Sequence, residues 1–504
     1  MCSSLVILTR LSALDRTRLR WLLLLVLGAV ALLFYVQIRL AGGAIPVQGS
    51  AYLLPGLGVA VIAVLGAWAV LHSDGIALHQ MPNRWRYLVE LGLILCVGLA
   101  FRVVFLLAPP TISHDAYRYV WDAHLVSHGV SPYLHPASDP SLVSLRDHTI
   151  WPQLDWPNSP TIYPPGAQLL FLLVNAVAPL NITAMQLAMT LCDAGVCVVT
   201  LLLLRHYGLD LRRIIIYWWN PIPIIEFVYS AHVDAAATLW MALALLLALQ
   251  RWRGARTLAG VALGMATLTK LFPLLFLVAL LRRKDWGFLC GLCVTLVLVP
   301  LPFVRLGLGS GGFLSTYFSQ RFVDEGIVFR LITQIVVDSR IQFALQGAVL
   351  LLLCALVLWL RLHWDLRAPA GILALSAVWI VVSPHLFPWY VAGLLPFLAL
   401  YLRLPPTTRT SWSQRASDLA GRFPLPAFAL WLFVLEMPFT YVIFAPGYDA
   451  NLFLLFFAAP LALAGVSLAL WWWLRWRLRQ AAASSAASML ASSASAEIIE
   501  AIKE

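Results

Sequence analysis

The sequence predicts an all-α polytopic membrane protein, a bundle of about fourteen transmembrane helices with a long first extracytoplasmic loop that contains interfacial helices. Three observations predict it. Of 504 residues, 61% are apolar and only 11% charged, too few charges to cover a soluble domain of this size. Apolar runs near the ~20 residues that a crossing helix needs recur along the chain. Arg and Lys fall in short runs between them, the pattern of the positive-inside bias. The net charge of +11 therefore reports orientation in a membrane and implies no nucleic-acid partner. Membrane lipids are the expected surroundings.

Arg10, Arg16, Arg18 and Arg20 precede the first apolar run, 21–40, and no small-residue cleavage site follows it. An uncleaved signal-anchor helix with a cytoplasmic N-terminus is predicted. Runs 51–71 and 87–107 add two crossings and leave the loop 109–165 outside, where its five Asp against two Arg agree with the assignment. Run 166–180 starts at "YPPG" and either spans or lies in the interface. Parity favours the interface, because spanning would put Arg205, Arg212 and Arg213 outside. Crossings follow at 184–204, 214–230 and 235–249, with "RWRGAR" inside. Runs 258–269 and 271–281 form a short hairpin with Lys270 at its outer tip, which keeps Arg282, Arg283 and Lys284 inside. Then come 286–304, an outer loop 305–340, the crossing 341–360, a hairpin of 369–382 and 389–402 tipped by "SPHLFPWY", and crossings 424–444 and 452–473. The C-terminal "RWRLR" then lies inside, and the Ala/Ser-rich 480–504 reads as a low-complexity cytoplasmic tail. All Cys but Cys2 lie in apolar stretches, where Cys behaves as a small hydrophobe. Cys290 and Cys293 have CxxC spacing without a second pair, so neither a disulfide framework nor a metal site is predicted.

This topology collects Asp115, Asp122, Glu226, His232, Asp234, Lys270, Arg321, Arg330 and His385 at the outer side. The densest cluster is "PPTISHDAYRYVWDAH", Pro109 to His124. Ser113 is a suitable N-cap and Gly129 a suitable stop, so a short interfacial helix is expected between them. Asp115 would sit in its first turn, where the helix dipole favours an anion. Arg118 and Asp122 share that face. Val120, Trp121, Leu125 and Val126 would supply an apolar side turned to the membrane. Such a helix either carries merely solvated charges or presents Asp115 as a carboxylate that takes a proton from a bound hydroxyl.

The chain carries, in order, "DAYRYVWDAHLVSHGVSPYLH", "IWP", "TIYPPGAQLLF", "WWNPIPIIEFVYSAHVDA", "LAGVALGMATLTKLFPLLFLVALLRR" and "SPHLFPWY". This order resembles the GT-C superfamily of integral-membrane glycosyltransferases that use polyprenyl-phosphate sugars. Within it the resemblance is to glycosyltransferase family 87 and the bacterial polyprenyl-phosphate-mannose-dependent mannosyltransferases. It implies a GT-C-like catalytic membrane core over 87–402, with the catalytic motif in the outer loop 109–165 and a second outer loop at 305–340. Residues 1–86 would then hold a cytoplasmic segment and two additional transmembrane helices, and 403–479 the C-terminal transmembrane helices. The resemblance implies a bacterial cytoplasmic (inner) membrane with both termini cytoplasmic and the active site extracytoplasmic. It also implies that Asp115 is the catalytic base. The family's loop often has a pair of acids here, and this chain has His114 as the neighbour, which leaves Asp115 acting alone or with His114 or Asp122.

An inverting transfer proceeds in one displacement, so a single essential base suffices. The departing phosphate needs cations and the lipid needs a groove. Lys270 either binds donor phosphate or snorkels to the headgroups. Arg321 and Arg330 are further phosphate candidates or ordinary loop charges. His385, between Pro384 and Pro388, would hold donor phosphate or an acceptor hydroxyl, or be structural. His232 and Asp234, at a helix start, are read as capping plus support of the site, and with no third ligand evident no metal is implied. Tyr163 either stacks on a sugar or fixes a turn. Asp193, mid-helix, predicts a polar partner inside the bundle, and Asn181 lies in an N-x-T triplet. The expected function is an inverting transfer of a hexose, with mannose the expected sugar, from a polyprenyl-phosphate sugar donor to a lipid-linked or glycan acceptor. No cofactor or divalent metal is implied. Two rivals remain: a flippase or transporter of lipid-linked sugars, for which internal repeats would be expected, and a non-catalytic scaffold of envelope synthesis.

Overall fold

The computed structural model describes residues 2–42, 49–71, 84–106, 108–306, 326–364, 366–402 and 425–437, with isolated positions between 462 and 480. Every regular element among them is helical. The chain forms two compact units, one of Met1–Leu400 with Val434–Phe453, the other of Tyr401–Phe433 with Leu454–Glu504.

In the first unit, α1 (Cys2–Leu40), α2 (Gly49–Leu71) and α3 (Arg84–Phe105) pack against one another. The loop beyond them carries α4 (Asp115–Ser127), two 3-10 turns (Pro140–Leu145 and Trp151–Gln153) and α5 (Pro165–Val177). After α6 (Ile182–His206) the chain passes through a 3-10 turn and α7 (Ile215–Trp218) into a π-helical segment, Pro223–Tyr229, and then α8 (Asp234–Ala248). The hairpin follows as α9 (Ala255–Thr269), the 3-10 turn Phe272–Phe276 and α10 (Leu277–Leu280). Next are α11 (Trp286–Leu298) and α12 (Leu301–Val304), then α13 (Ile327–Ile335), α14 (Ser339–Trp364), α15 (Ala368–Val382), α16 (Pro388–Ala392) and α17 (Leu395–Tyr401). Of the second unit, the described residues form most of α18 (Leu425–Glu436).

Six helices among the described residues are long and apolar enough to cross a membrane: Thr17–Leu40, Leu54–Leu71, Arg84–Phe105, Ile182–His206, Trp286–Val304 and Ser339–His363. A seventh is reached if Pro223–Tyr229 and Asp234–Ala248, bent by 115° at a short break, count as one. Fourteen crossings are not reached among these residues, and the reasons are local. Run 214–230, expected as a single crossing, is interrupted at Asn220 and re-forms as a π-helix, because Pro221 and Pro223 remove backbone donors. Run 166–180 is a 13-residue helix and 389–402 is split into α16 and α17. The expected crossings 424–444 and 452–473 lie largely outside the described residues.

α4 departs from the expectation of a helix lying on the membrane. Val120, Trp121 and Leu125 are buried against the protein, and α4 packs between α5 and α6. Its N-cap is His114, while Ser113 Oγ accepts from the Asp115 amide at 3.3 Å. Gly129 ends it with φ +75°, a conformation glycine adopts without steric cost.

Lipid tails are as apolar as Leu, so helices in a membrane associate through close packing and polar contacts. α9 and α11 approach closely enough that a Cβ on Gly291 would stand 2.1 Å from the Thr257 carbonyl oxygen. Charges inside the bundle are paired. Arg102 of α3 donates to Asp193 of α6 at 2.5 Å and to the Trp218 carbonyl at 2.8 Å, and the Tyr217 hydroxyl donates to the same carboxylate at 2.6 Å. Asp193 therefore has the polar partners its sequence context required. A second network joins Arg20, Glu90, Arg212 and Asp210. Asn181 spends its side chain as the N-cap of α6, accepting from the Ala184 amide at 2.9 Å.

α8 and α9 are antiparallel neighbours of 15 residues each, which sets their two ends about 22 Å apart. Asp234 and Lys270 occupy one end. Arg256 and Asp285 pair at the other, where Arg282 donates to the Ala248 carbonyl at 2.9 Å.

Candidate active site

Four elements bring ionisable side chains together. α4 presents Asp115 from its first turn, 30% exposed. The break after the π-helix delivers His232 through Ala231, whose φ of +55° is unusual for a residue with a side chain. His232 is fully buried, with Nδ1 3.5 Å from Asp115 Oδ2 and Nε2 3.3 Å from Glu226 Oε2. Its amide donates to the Glu226 carbonyl at 2.8 Å, closing the turn. Asp234 opens α8, whose N-cap is Val233, so the expected capping by these side chains is replaced by an ion pair. Asp234 Oδ2 lies 3.1 Å from Lys270 Nζ.

Lys270 stands at the hairpin tip, in extended backbone just after α9, and is 18% exposed. Its ammonium lies 5.0 Å from the centre of the Tyr390 ring and 6.0 Å from that of Tyr163. Tyr163 also meets Tyr119 edge-on at 4.8 Å, and Tyr119 stacks on Phe171 at 4.4 Å. Gly166 lets α5 approach this tip, since a Cβ there would stand 2.8 Å from the Leu268 backbone.

"SPHLFPWY" closes the site from the other side. The rings of His232 and Trp389 stack at 3.9 Å, Trp389 on Phe387 at 4.6 Å, and Phe387 lies 6.2 Å from His385. Burial pushes the His385 imidazole down to about 4, so the ring is neutral at neutral pH.

Burial opposes ionisation of Asp115, but His232 and Lys270, with the Tyr163 hydroxyl, outweigh it and hold the carboxyl below the usual aspartate range. The carboxylate is thus ionised, partly accessible and aimed from a helix N-terminus. These are the properties of a general base.

The other expected residues fall elsewhere. His114 is 34% exposed and turns to Asp155, 3.5 Å away, whose hydrogen bond raises its pKa against the effect of burial. Arg118 donates to Asp122 at 2.7 Å and to the Ser159 carbonyl at 3.0 Å. Asp122 is fully buried and accepts from Gln168 at 2.8 Å and from Thr161 at 2.5 Å, so this pair ties α4 to the outer loop and α5. Arg330 is half-buried on α13, one turn beyond Gly326, whose amide donates to the Pro384 carbonyl at 3.2 Å. Arg321 lies outside the described residues. Glu226 received no role from the sequence, although an acid in an otherwise apolar, Pro-interrupted stretch was the available signal. Among the described residues no group of three or more His, Cys, Asp and Glu is arranged to hold a metal ion.

A helical membrane bundle with a partly open carboxylate, a paired lysine and an aromatic wall at one end has the parts of a group-transfer enzyme. Residues 22–282 match the family described as alpha-(1->6)-mannopyranosyltransferase, N-terminal domain, and the chain belongs to that family. It is a multi-pass membrane protein and a glycosyltransferase of the mannosyltransferase type. It is similar to alpha-(1->6)-mannopyranosyltransferase A of Corynebacterium glutamicum, 24% identical over 425 residues that cover 72% of this chain and 84% of that protein. The family stretch contains the C-terminal half of α1 and all of α2 as well as Asp115, Glu226, His232, Asp234 and Lys270.

Proposed function

We propose that the protein transfers mannose, with inversion, from a polyprenyl-phosphate mannose to a hexose hydroxyl at the extracytoplasmic face of a bacterial inner membrane, with Asp115 as the base. The observation that carries this reading is the ionised, partly exposed Asp115 sharing one end of the bundle with Lys270. The acceptor O–H loses its proton to the Asp115 carboxylate as the oxygen attacks the anomeric carbon. The bond from that carbon to the phosphate oxygen breaks, and polyprenyl phosphate leaves with the electron pair. Lys270 then exchanges part of its contact with Asp234 for the phosphate, whose negative charge grows in the transition state. Tyr163, Tyr390 and Trp389 offer ring faces to the sugar.

The name of the Corynebacterium relative supports a 1->6 bond, which makes the acceptor nucleophile a primary hydroxyl of a hexose. The outward orientation is supported by charge. Arg256, Arg282 and the other cations of the two basic runs lie at the end of α8 and α9 remote from Asp115, and the positive-inside bias assigns such an end to the cytoplasm. The basic residues Arg10 to Arg20 and Arg475 to Arg479 support placing both termini in the cytoplasm by the same bias.

The test of donor class uses purified, reconstituted protein with radiolabelled polyprenyl-phosphate mannose or nucleoside-diphosphate mannose and a mannoside acceptor. Product from the lipid donor alone supports the reading. Equal product from the soluble nucleotide sugar contradicts it.

A further inference from the structure

Glu226 is fully buried on a π-helical segment, a rare geometry that recurs at functional sites, and its carboxylate lies 3.3 Å from the inner nitrogen of His232, on the side of the ring away from Asp115. The backbone is arranged to keep the two side chains together. The His232 amide donates to the Glu226 carbonyl at 2.8 Å, Ala231 takes positive φ in the same turn, and Trp389 lies flat on the imidazole at 3.9 Å. The result is an imidazole between two carboxylates, Glu226 behind and Asp115 in front, at 3.3 and 3.5 Å. Serving both carboxylates at once takes an N–H on each ring nitrogen, which only the imidazolium has. A second buried carboxylate behind His232, 3.3 Å from its inner nitrogen, favours the charged ring by proximity to negative charge.

We propose that Glu226 is a positioning residue that acts through His232, keeping the imidazole protonated so that Asp115 stays ionised and aimed at the acceptor hydroxyl. This rests on the reading of Asp115 as the base. During transfer the acceptor proton goes to Asp115, which becomes neutral, while His232 keeps both of its ring protons, so the step needs no co-reactant. The groups facing His232 are Asp115 from α4, Glu226 from the π-helix, and Asp234 of α8 with Lys270 beyond it. Tyr119 of α4 closes the set by contacting the neighbouring Val233 amide at 3.4 Å. Among the described residues, Glu226 is the carboxylate within ion-pair distance of the inner ring nitrogen.

The test is the pH profile of kcat/KM for mannosyl transfer by full-length reconstituted protein, using polyprenyl-phosphate mannose and a mannoside acceptor. Glu226→Gln keeps the shape and removes the charge. It is expected to lower kcat about tenfold or more at neutral pH, to leave the donor KM within about twofold, and to move the acidic limb up by about one pH unit. His232→Asn should shift the same limb, and the double variant should be no slower than His232→Asn alone, because the two residues act in series. An acidic limb unmoved in Glu226→Gln overturns the proposal. Should Glu226→Gln not fold, Glu226→Asp decides: a limb between wild type and His232→Asn supports the proposal, and an unmoved limb overturns it. Asp115→Asn separates the two levels. Inactivity there with an unmoved limb in the Glu226 variants removes only the positioning role, whereas normal turnover in Asp115→Asn removes the base and the positioning role together.

Discussion

At the scale of the residue, the account turns on what surrounds a carboxylate. Burial works against the Asp115 charge, and His232 and Lys270 restore it. The sign is that of a depressed acid: the stabilisation is complete above the ordinary aspartate value of ~3.9 and is lost as pH falls through the lower native value. Because the ionised form is the base, kcat/KM should stay flat from neutral pH down to about 4 and fall only below it. Initial rates across that range check this, and an acidic limb at pH 6 would contradict the environment described. Asp115 was legible in the sequence because charge is so sparse that a cluster beside an apolar helix stands out. Of its partners, His232 and Lys270 were legible as site candidates from the sequence, their contacts with Asp115 were not, and Glu226 was given no role. Glu226 and His232 reach it only because a π-helix and a positive-φ turn fold them back, and neither feature has a reliable sequence signature. Asp122, two turns along α4, was expected as a supporting neighbour of Asp115 and is held by Arg118, Thr161 and Gln168.

At the scale of the element, what counts is how closely α5, α8 and α9 approach around the hairpin tip. Gly166 sits against the Leu268 backbone, where a Cβ meets atoms that cannot move aside. Gly166→Val should therefore force α5 away from α9, cost about 1–3 kcal/mol of stability as overpacking does, and raise the donor KM by displacing Tyr163 and Lys270. Thermal unfolding and steady-state kinetics read the two effects separately. The break at the hairpin tip was legible, since a single helix across 258–281 would have put Arg282, Arg283 and Lys284 on the opposite side from the other basic runs. The run 214–230 was not, because its apolar composition resembles one crossing while its two prolines decide the geometry. α4 misled in another way: its apolar face was right, but the partner is protein and not lipid, which amphipathicity cannot distinguish.

At the scale of the whole molecule, the bundle segregates its charges. Asp115, Glu226, His232, Asp234 and Lys270 gather at one end of α8 and α9, the Arg256–Asp285 pair and Arg282 lie at the other, and the buried Arg102–Asp193 pair locks α3 to α6. Arg102→Ala strands the Asp193 charge and should destabilise by about 3–5 kcal/mol, whereas replacing both partners with Leu should recover much of that loss. Unfolding in detergent compares the three proteins, and a harmless Arg102→Ala would contradict the pairing. The membrane class and the one-sidedness of the polar residues were readable from composition and charge bias. The number of crossings was less so, because short and broken helices pack inside the protein as readily as they span lipid. The central claim remains that Asp115 is the base of a mannosyl transfer. The measurement that tests it most directly is single-turnover transfer by Asp115→Asn with saturating polyprenyl-phosphate mannose and acceptor, alongside donor binding by the same protein. A rate reduced by about three orders of magnitude or more, with donor affinity and folding unchanged, is the expected result; turnover at the wild-type rate would contradict the account.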